Sequence, residues 1–232
     1  MKFTLCKFIR LMLGFIICAL GIVLMVNANL GLAPWDVLHG GISKLVGITM
    51  GQANILVAII VVLFNIIIGE NVGWGTILNM IIIGWFIDIF MLNNIVPVST
   101  NFSIGIIMMF LGMLVLSLGC YLYIGVGIGT GARDGMMVAI QKKTGKSIRF
   151  VRNIIEIGAL TIGFLLGGKV GIGTIISSLF LGHFIQFIFK IFKFDVSSIC
   201  HRYIIDDIKY LRYAVKNKIN KKQNCLSIEN DE

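Results

Sequence analysis

Apolar residues fall into six long runs, near residues 9–30, 50–69, 76–95, 102–124, 150–168 and 172–192, with most charged positions crowded between and after them. At 1.5 Å of rise per residue, about 20 such residues cross a hydrocarbon core of about 30 Å. The pattern predicts an all-α polytopic membrane protein with about six transmembrane helices. Two polar stretches interrupt it, one after the first run and one after the fourth. Pro34 to Leu45, and about Arg133 to Thr144, are each too long for a turn and too polar to span. Pro34 near one start, and Gly47 and Gly145 just past the two ends, are helix-terminus signals, so each stretch predicts a short helix of about three turns. Such a helix either lies at the membrane interface or is re-entrant, and a re-entrant piece requires protein or a water-filled cavity to cover its backbone.

The likeness between these stretches is part of a longer one. Gly31-Leu32-Ala33-Pro34-Trp35-Asp36 has a counterpart in Gly129-Thr130-Gly131-Ala132-Arg133-Asp134. The same ungapped shift of about 98 residues sets Gly47 on Gly145, Gly69 on Gly167, Gly75-Thr76-Ile77 on Gly173-Thr174-Ile175 and Gly84 on Gly182, and a fixed self-similarity marks one unit used twice. Residues 1–98 and 99–193 are therefore expected to be two three-span repeats, with 194–232 a tail. Three is odd, so the second copy should enter the membrane from the opposite side, and the repeats should be inverted.

Charge supplies an orientation. Lys2, Lys7 and Arg10 precede the first run, and Arg133, Lys142, Lys143, Lys146 and Arg149 lie between the fourth and fifth, whereas only Lys44 and Lys169 fall on the other side. The positive-inside rule then makes both termini cytoplasmic. The net charge of +9 does not point to nucleic acid, because the basic residues flank apolar runs or sit in the tail without aromatic interleaving. In the tail, Ile204, Ile208, Leu211 and Val215 recur on one helical face opposite Arg202, Lys209, Arg212 and Lys216. Ser197 or Ser198 would cap this helix, and Lys218, Lys221 and Lys222 follow it. The tail reads as an amphipathic helix on anionic lipid headgroups, or else as a solvated extension.

At 57% hydrophobic and 13% charged residues, the chain leaves no length for a separate soluble domain. Its five cysteines are far apart with no Cys-x-x-Cys pair, so neither a disulfide framework nor a metal site is implied, and no cofactor is expected. The first 30 residues imitate a secretory signal. Because Leu13, Gly14, Leu20 and Gly21 match Leu111, Gly112, Leu118 and Gly119 of the fourth run, this segment is kept as a helix.

Candidate chemistry gathers at the two Gly-rich breaks. Trp35 and Asp36 in one, with Gly129, Thr130, Gly131, Arg133 and Asp134 in the other, could line a central site as in transporters built from inverted repeats. Alternatively the glycines only permit tight exits and the Asp residues only favour positive helix ends. Arg133, in the place of Trp35, makes the second half the better partner for an anionic group. Thr76 and Thr174 read as N-caps, with an anion site at those helix starts as the sharper alternative. Asp88 stands inside a predicted span, where an ionised carboxylate costs about 2.5 to 3.5 kcal/mol. Its repeat mate is Gln186, with His183 one turn earlier, so the three are candidates for proton or ion coupling or else polar glue. Arg152 and Glu156 can neutralise each other across one turn. No Ser, His, Cys and Asp set has a catalytic spacing, so the chain is not expected to be an enzyme.

Gly31-Leu32-Ala33-Pro34-Trp35-Asp36-Val37-Leu38, Gly47-Ile48-Thr49-Met50-Gly51-Gln52, Gly75-Thr76, Gly129-Thr130-Gly131-Ala132-Arg133-Asp134-Gly135 and Gly173-Thr174 together resemble the YczE/YyaS/YitT group of bacterial integral membrane proteins. The resemblance covers roughly residues 8–192. It implies a multi-pass protein of the bacterial cytoplasmic membrane and carries over no binding residue. The expected function is a small permease or channel for an unknown small molecule or ion; the alternative is a non-transporting scaffold or substrate-capturing subunit. A homo-oligomer stays open.

Overall fold

The computed structural model describes residues 5–129, 131–194, 199 and 203–206. Among the described residues the regular structure is helical. In chain order come α1 (Leu5–Asn27), α2 (Pro34–Val46), α3 (Met50–Ile68), α4 (Trp74–Leu92), α5 (Phe102–Ile124), α6 (Ala132–Thr144), α7 (Ile148–Leu165) and α8 (Ile172–Ile191). Five of them, α1, α3, α4, α5 and α8, are long and apolar enough to cross a membrane. The remaining predicted span forms as α7, which carries Arg149, Arg152 and Glu156 and so falls outside that apolar set. The short helices predicted after the first and fourth runs are α2 and α6, 13 residues each. Gly47 and Gly145 end them in the left-handed conformation, at φ of 75° and 66°.

Local chemistry fixes several helix starts. Thr49 and Gln52 form a reciprocal capping box on α3, Asn101 accepts from Ser103 N at the start of α5, and Ser147 accepts from Phe150 N at the start of α7. Thr76 and Thr174 are not the N-caps of α4 and α8. Those helices begin earlier, with extended Gly73 and Gly171 as the caps, and Thr174 Oγ1 instead reaches back to accept from Gly171 N at 3.2 Å. A glycine ahead of the threonine lets the backbone turn sooner than a hydroxyl-capped start would.

The centre of the bundle is the antiparallel pair α1 and α5, which cross closely because their contact stripe is glycine. A Cβ on Gly14 would lie 2.8 Å from Tyr123 N and one on Gly21 2.5 Å from Leu116 N, while Gly119 faces Gly14 O and Gly112 faces Gly21 O. Leu11, Phe15, Ala19 and Val23 pack around this crossing, with Ile87 from α4. Further out, α2 lies on α7 and α3 on α6, α1 on α4 and α5 on α8.

These contacts come in pairs that the repeat shift exchanges. Gly75 N donates to Ile128 O at 2.8 Å, and Gly173 N donates to Leu30 O at 2.8 Å. Gly73 abuts Gly129, and Gly171 abuts Gly31. Gly31 and Gly129 hold φ of 113° and 127°, and a Cβ on Gly31 would stand 2.5 Å from Gly171 N. Only glycine takes that conformation at that separation. The amphipathic helix expected in the tail, with its caps at Ser197 and Ser198 and its Lys cluster, lies outside the described residues except for a short piece in which Ile204 N donates to Val72 O at 3.0 Å.

Candidate functional site

Both short helices begin among the other helices and end exposed. In α2, Pro34, Asp36, Val37 and His39 are buried whereas Lys44, Leu45 and Val46 are exposed; in α6, Ala132 and Gly135 are buried whereas Lys142, Lys143 and Thr144 are exposed. Their first turns meet. The Arg133 guanidinium lies over the Trp35 ring at 4.7 Å from its centroid, a cation–π geometry favoured where water is scarce. Arg133 Nη2 also reaches His39 Nε2 at 3.3 Å and, at the long limit, donates to Asn54 Oδ1 at 3.5 Å. The other ring nitrogen, His39 Nδ1, faces Asp36 Oδ1 at 3.4 Å.

These distances fit one tautomer. A neutral His39 with its proton on Nδ1 donates to Asp36 and accepts from Arg133 through Nε2. Burial favours that neutral form: it pulls the His39 pKa below the ordinary imidazole value, the bond to Asp36 pulls it up by less, and the Arg133 charge adds to the lowering. Burial likewise disfavours the Arg133 charge, against which the Asp36 and Asp134 carboxylates act.

Beside this cluster lies a cavity of about 110 Å³. Trp35, Asp36 and Arg133 form one side of it, and Arg152 and Glu156 of α7 with Ser177 and Ser178 of α8 form the other. Ile22 of α1 and Leu116 of α5 close it towards the central crossing. Arg152 Nε donates to Glu156 Oε1 at 2.9 Å, the one-turn pairing expected from their spacing. Thus the structure brings together Trp35, Asp36 and Arg133 from the two breaks. Asp134 is half-buried on the next residue of α6, and Gly131 caps that helix. Gly129 serves the contact with Gly73, and Thr130 lies outside the described residues.

The other candidates stand elsewhere. Thr76 and Thr174 are buried at 5% and 2% exposure, packed on Gly129 and Gly31 rather than on the cavity. At the starts of α4 and α8, the Gly75 and Gly173 amides are taken by backbone carbonyls. Asp88 lies nearer the end of α4 than its middle and holds the start of α3, accepting from Thr49 Oγ1 at 2.6 Å and from Gly51 N at 2.8 Å. His183 and Gln186 are exposed on α8, and the His183 ring contacts Leu179 O within its own helix. Asp88 and His183 are therefore not brought together. His39 and Asn54 were not singled out from sequence. The available signals were the i,i+3 spacing of His39 from Asp36 and a lone Asn inside an apolar run.

Comparisons with known proteins place this geometry in a family. The chain is 35% identical over 178 residues to the uncharacterized membrane protein YczE of Bacillus subtilis, covering 75% of this chain and 81% of that one. It is 35% identical over 175 residues to an uncharacterized protein of Haemophilus influenzae, covering 75% and 79%. To the uncharacterized protein YyaS of Bacillus subtilis it is 26% identical over 174 residues, covering 74% and 86%. No solved structure matches the chain. Residues 5–190, which hold α1 to α7, all but the last residue of α8 and every cavity residue named above, match the family of unknown function DUF6198, and the chain belongs to that family.

Proposed function

We propose that this protein is a small permease or channel of the bacterial cytoplasmic membrane, and that its solute passes through the cavity between the two breaks. One observation carries the reading: residues at equivalent positions of the two halves touch each other. Trp35 meets Arg133, and Cys18 Sγ faces Leu116 O at 3.8 Å. Two equivalent residues can touch only beside the axis that relates their copies. Since α1 and α5 run antiparallel at that crossing, the axis lies across the bundle, and the copies are inverted repeats with α3 and α7 in corresponding places. On this reading α7 is the sixth span, with Arg152 and Glu156 on the cavity wall, and α2 and α6 are re-entrant half-helices. Their positive ends converge on the cavity, the arrangement that inverted-repeat transporters use to hold a solute at mid-membrane.

A second reading is favoured by the exposed Lys143 in the last turn of α6 and Lys146 just beyond its end, which together with the basic tail would suit docking to an acidic partner. It makes the chain a non-transporting scaffold or capturing subunit. Thiol accessibility separates the two. In a cysteine-free background, Ser178→Cys in the cavity wall should react with a small impermeant thiol reagent from one side of the membrane, and Leu179→Cys, on the exposed apolar face, should not. A Ser178→Cys protein inert from both sides would remove the aqueous site and leave the scaffold.

A further inference from the structure

Resting on that transport reading, we infer that the cavity takes a compact zwitterion, a solute of small amino-acid size whose carboxylate meets Arg133 and whose ammonium meets Asp36. Size sets the first bound. A volume of about 110 Å³ is several times the roughly 10–15 Å³ that one water requires on the same measure. That suits a compact solute.

Charge sets the second. The walls carry two cations, Arg133 and Arg152, and two carboxylates, Asp36 and Glu156. Arg152 and Glu156 satisfy each other at 2.9 Å. Asp36 and Arg133 are held differently, because His39 stands between them with one ring nitrogen towards each. The imidazole keeps the two poles apart, so both keep bonding capacity for a ligand. Asp36 and Asp134 already act on the Arg133 charge, so a singly charged solute would change the net charge of the site, whereas a zwitterion adds an opposite charge at each pole and leaves the net unchanged. A zwitterion meets each with its opposite.

The serines agree with this assignment. Ser177 and Ser178 both donate their hydroxyl protons to Thr174 O, at 3.0 and 2.7 Å. What they have left for the cavity is lone pairs, which accept from an ammonium and repel a carboxylate. The repeat adds an independent point. The first-half positions equivalent to Arg152, Glu156 and Ser178 are Asn54, Ala58 and Met80, so the charged wall is not inherited from the repeated unit. Charges inside a membrane bundle are costly and mark solute paths.

The test uses the full chain in liposomes with four labelled probes of similar size: alanine, lactate, ethanolamine and glycerol. Alanine uptake should exceed that of the other three by more than about tenfold, because a site built for two charged groups rejects solutes lacking either one. Arg133→Gln should shift the preference to ethanolamine and Asp36→Asn to lactate, with helix content and monodisperse elution checked for each variant. Lactate, ethanolamine or glycerol entering wild-type vesicles as fast as alanine would overturn the zwitterion assignment while keeping the transport reading. Uptake of none of the four overturns the assignment too, and Ser178→Cys labelling then decides whether the aqueous site itself stands.

Discussion

The helices α3 and α7 occupy equivalent places in the repeat and differ in almost everything a side chain can contribute. α3 is apolar enough to cross lipid unaided, with a mean hydropathy of 2.4, and it offers the centre of the molecule Asn54. α7 offers Arg152 and Glu156 to the cavity. Between the same two halves, the backbone contacts are nearly interchangeable: Gly73 on Gly129 and Gly171 on Gly31, Gly75 N to Ile128 O and Gly173 N to Leu30 O. Where main chains touch, sterics dictate glycine in both copies. Where side chains face the cavity the two halves differ: the first contributes Asp36, and the second contributes Arg133, Arg152 and Glu156.

Substitutions can break the constrained side of this comparison, and the largest effect belongs to the central crossing. Gly21→Val puts a Cβ 2.5 Å from Leu116 N, and overpacking against backbone should cost about 3 kcal/mol. Gly158→Ala on α7 meets nothing within 4 Å and should change stability by less than about 0.5 kcal/mol. Thermal unfolding of the two variants in detergent checks the contrast. Next comes Asp88, whose repeat mate Gln186 is exposed. Asp88→Ala leaves Thr49 Oγ1 and Gly51 N without their acceptor, at a cost of about 1 to 3 kcal/mol. His183→Ala, on an exposed side chain, should be close to neutral in the same assay.

A smaller effect is set by pH. The His39 pKa is lowered in the folded protein, mainly by burial, so the unfolded chain takes up the proton first as pH falls. Stability from this group is intact above the ordinary imidazole pKa of about 6.5 and is lost progressively below it. Melting temperature should therefore drop between pH 7.5 and 5.5, and His39→Gln should flatten that drop. An equal drop in the variant would mean that other groups cause it. The smallest effect is at an exposed ion pair. Lys142 pairs with Glu70 at 2.8 Å, but the Lys142 side chain is 64% exposed, so Glu70→Gln should cost less than about 1 kcal/mol.

The helices were legible in the sequence because apolar runs and glycine stops report directly on local geometry. Pro34–Val46 and Ala132–Thr144 fell where Pro34, Gly47 and Gly145 placed them. The starts of α4 and α8 were not, because an extended glycine cap at Gly73 or Gly171 has no side-chain signature, whereas Thr76 and Thr174 look like caps. Within the site, Trp35, Asp36 and Arg133 could be named from the breaks alone. The roles of His39 and Asn54 could not, since they depend on how closely α2, α3 and α6 approach in three dimensions. For the same reason Asp88 and His183, aligned by repeat position, stand on different neighbours in space.

The central claim is that two oppositely oriented halves share one site. Two-sided thiol labelling tests it most directly, with Lys44→Cys and Lys142→Cys made singly in a cysteine-free background and probed in intact and then opened cells. Both side chains stand exposed at the ends of the short helices. The account predicts that position 44 reacts in intact cells and position 142 only after opening. Reaction of both from the same side would contradict the inversion, and with it the shared axis through Trp35 and Arg133.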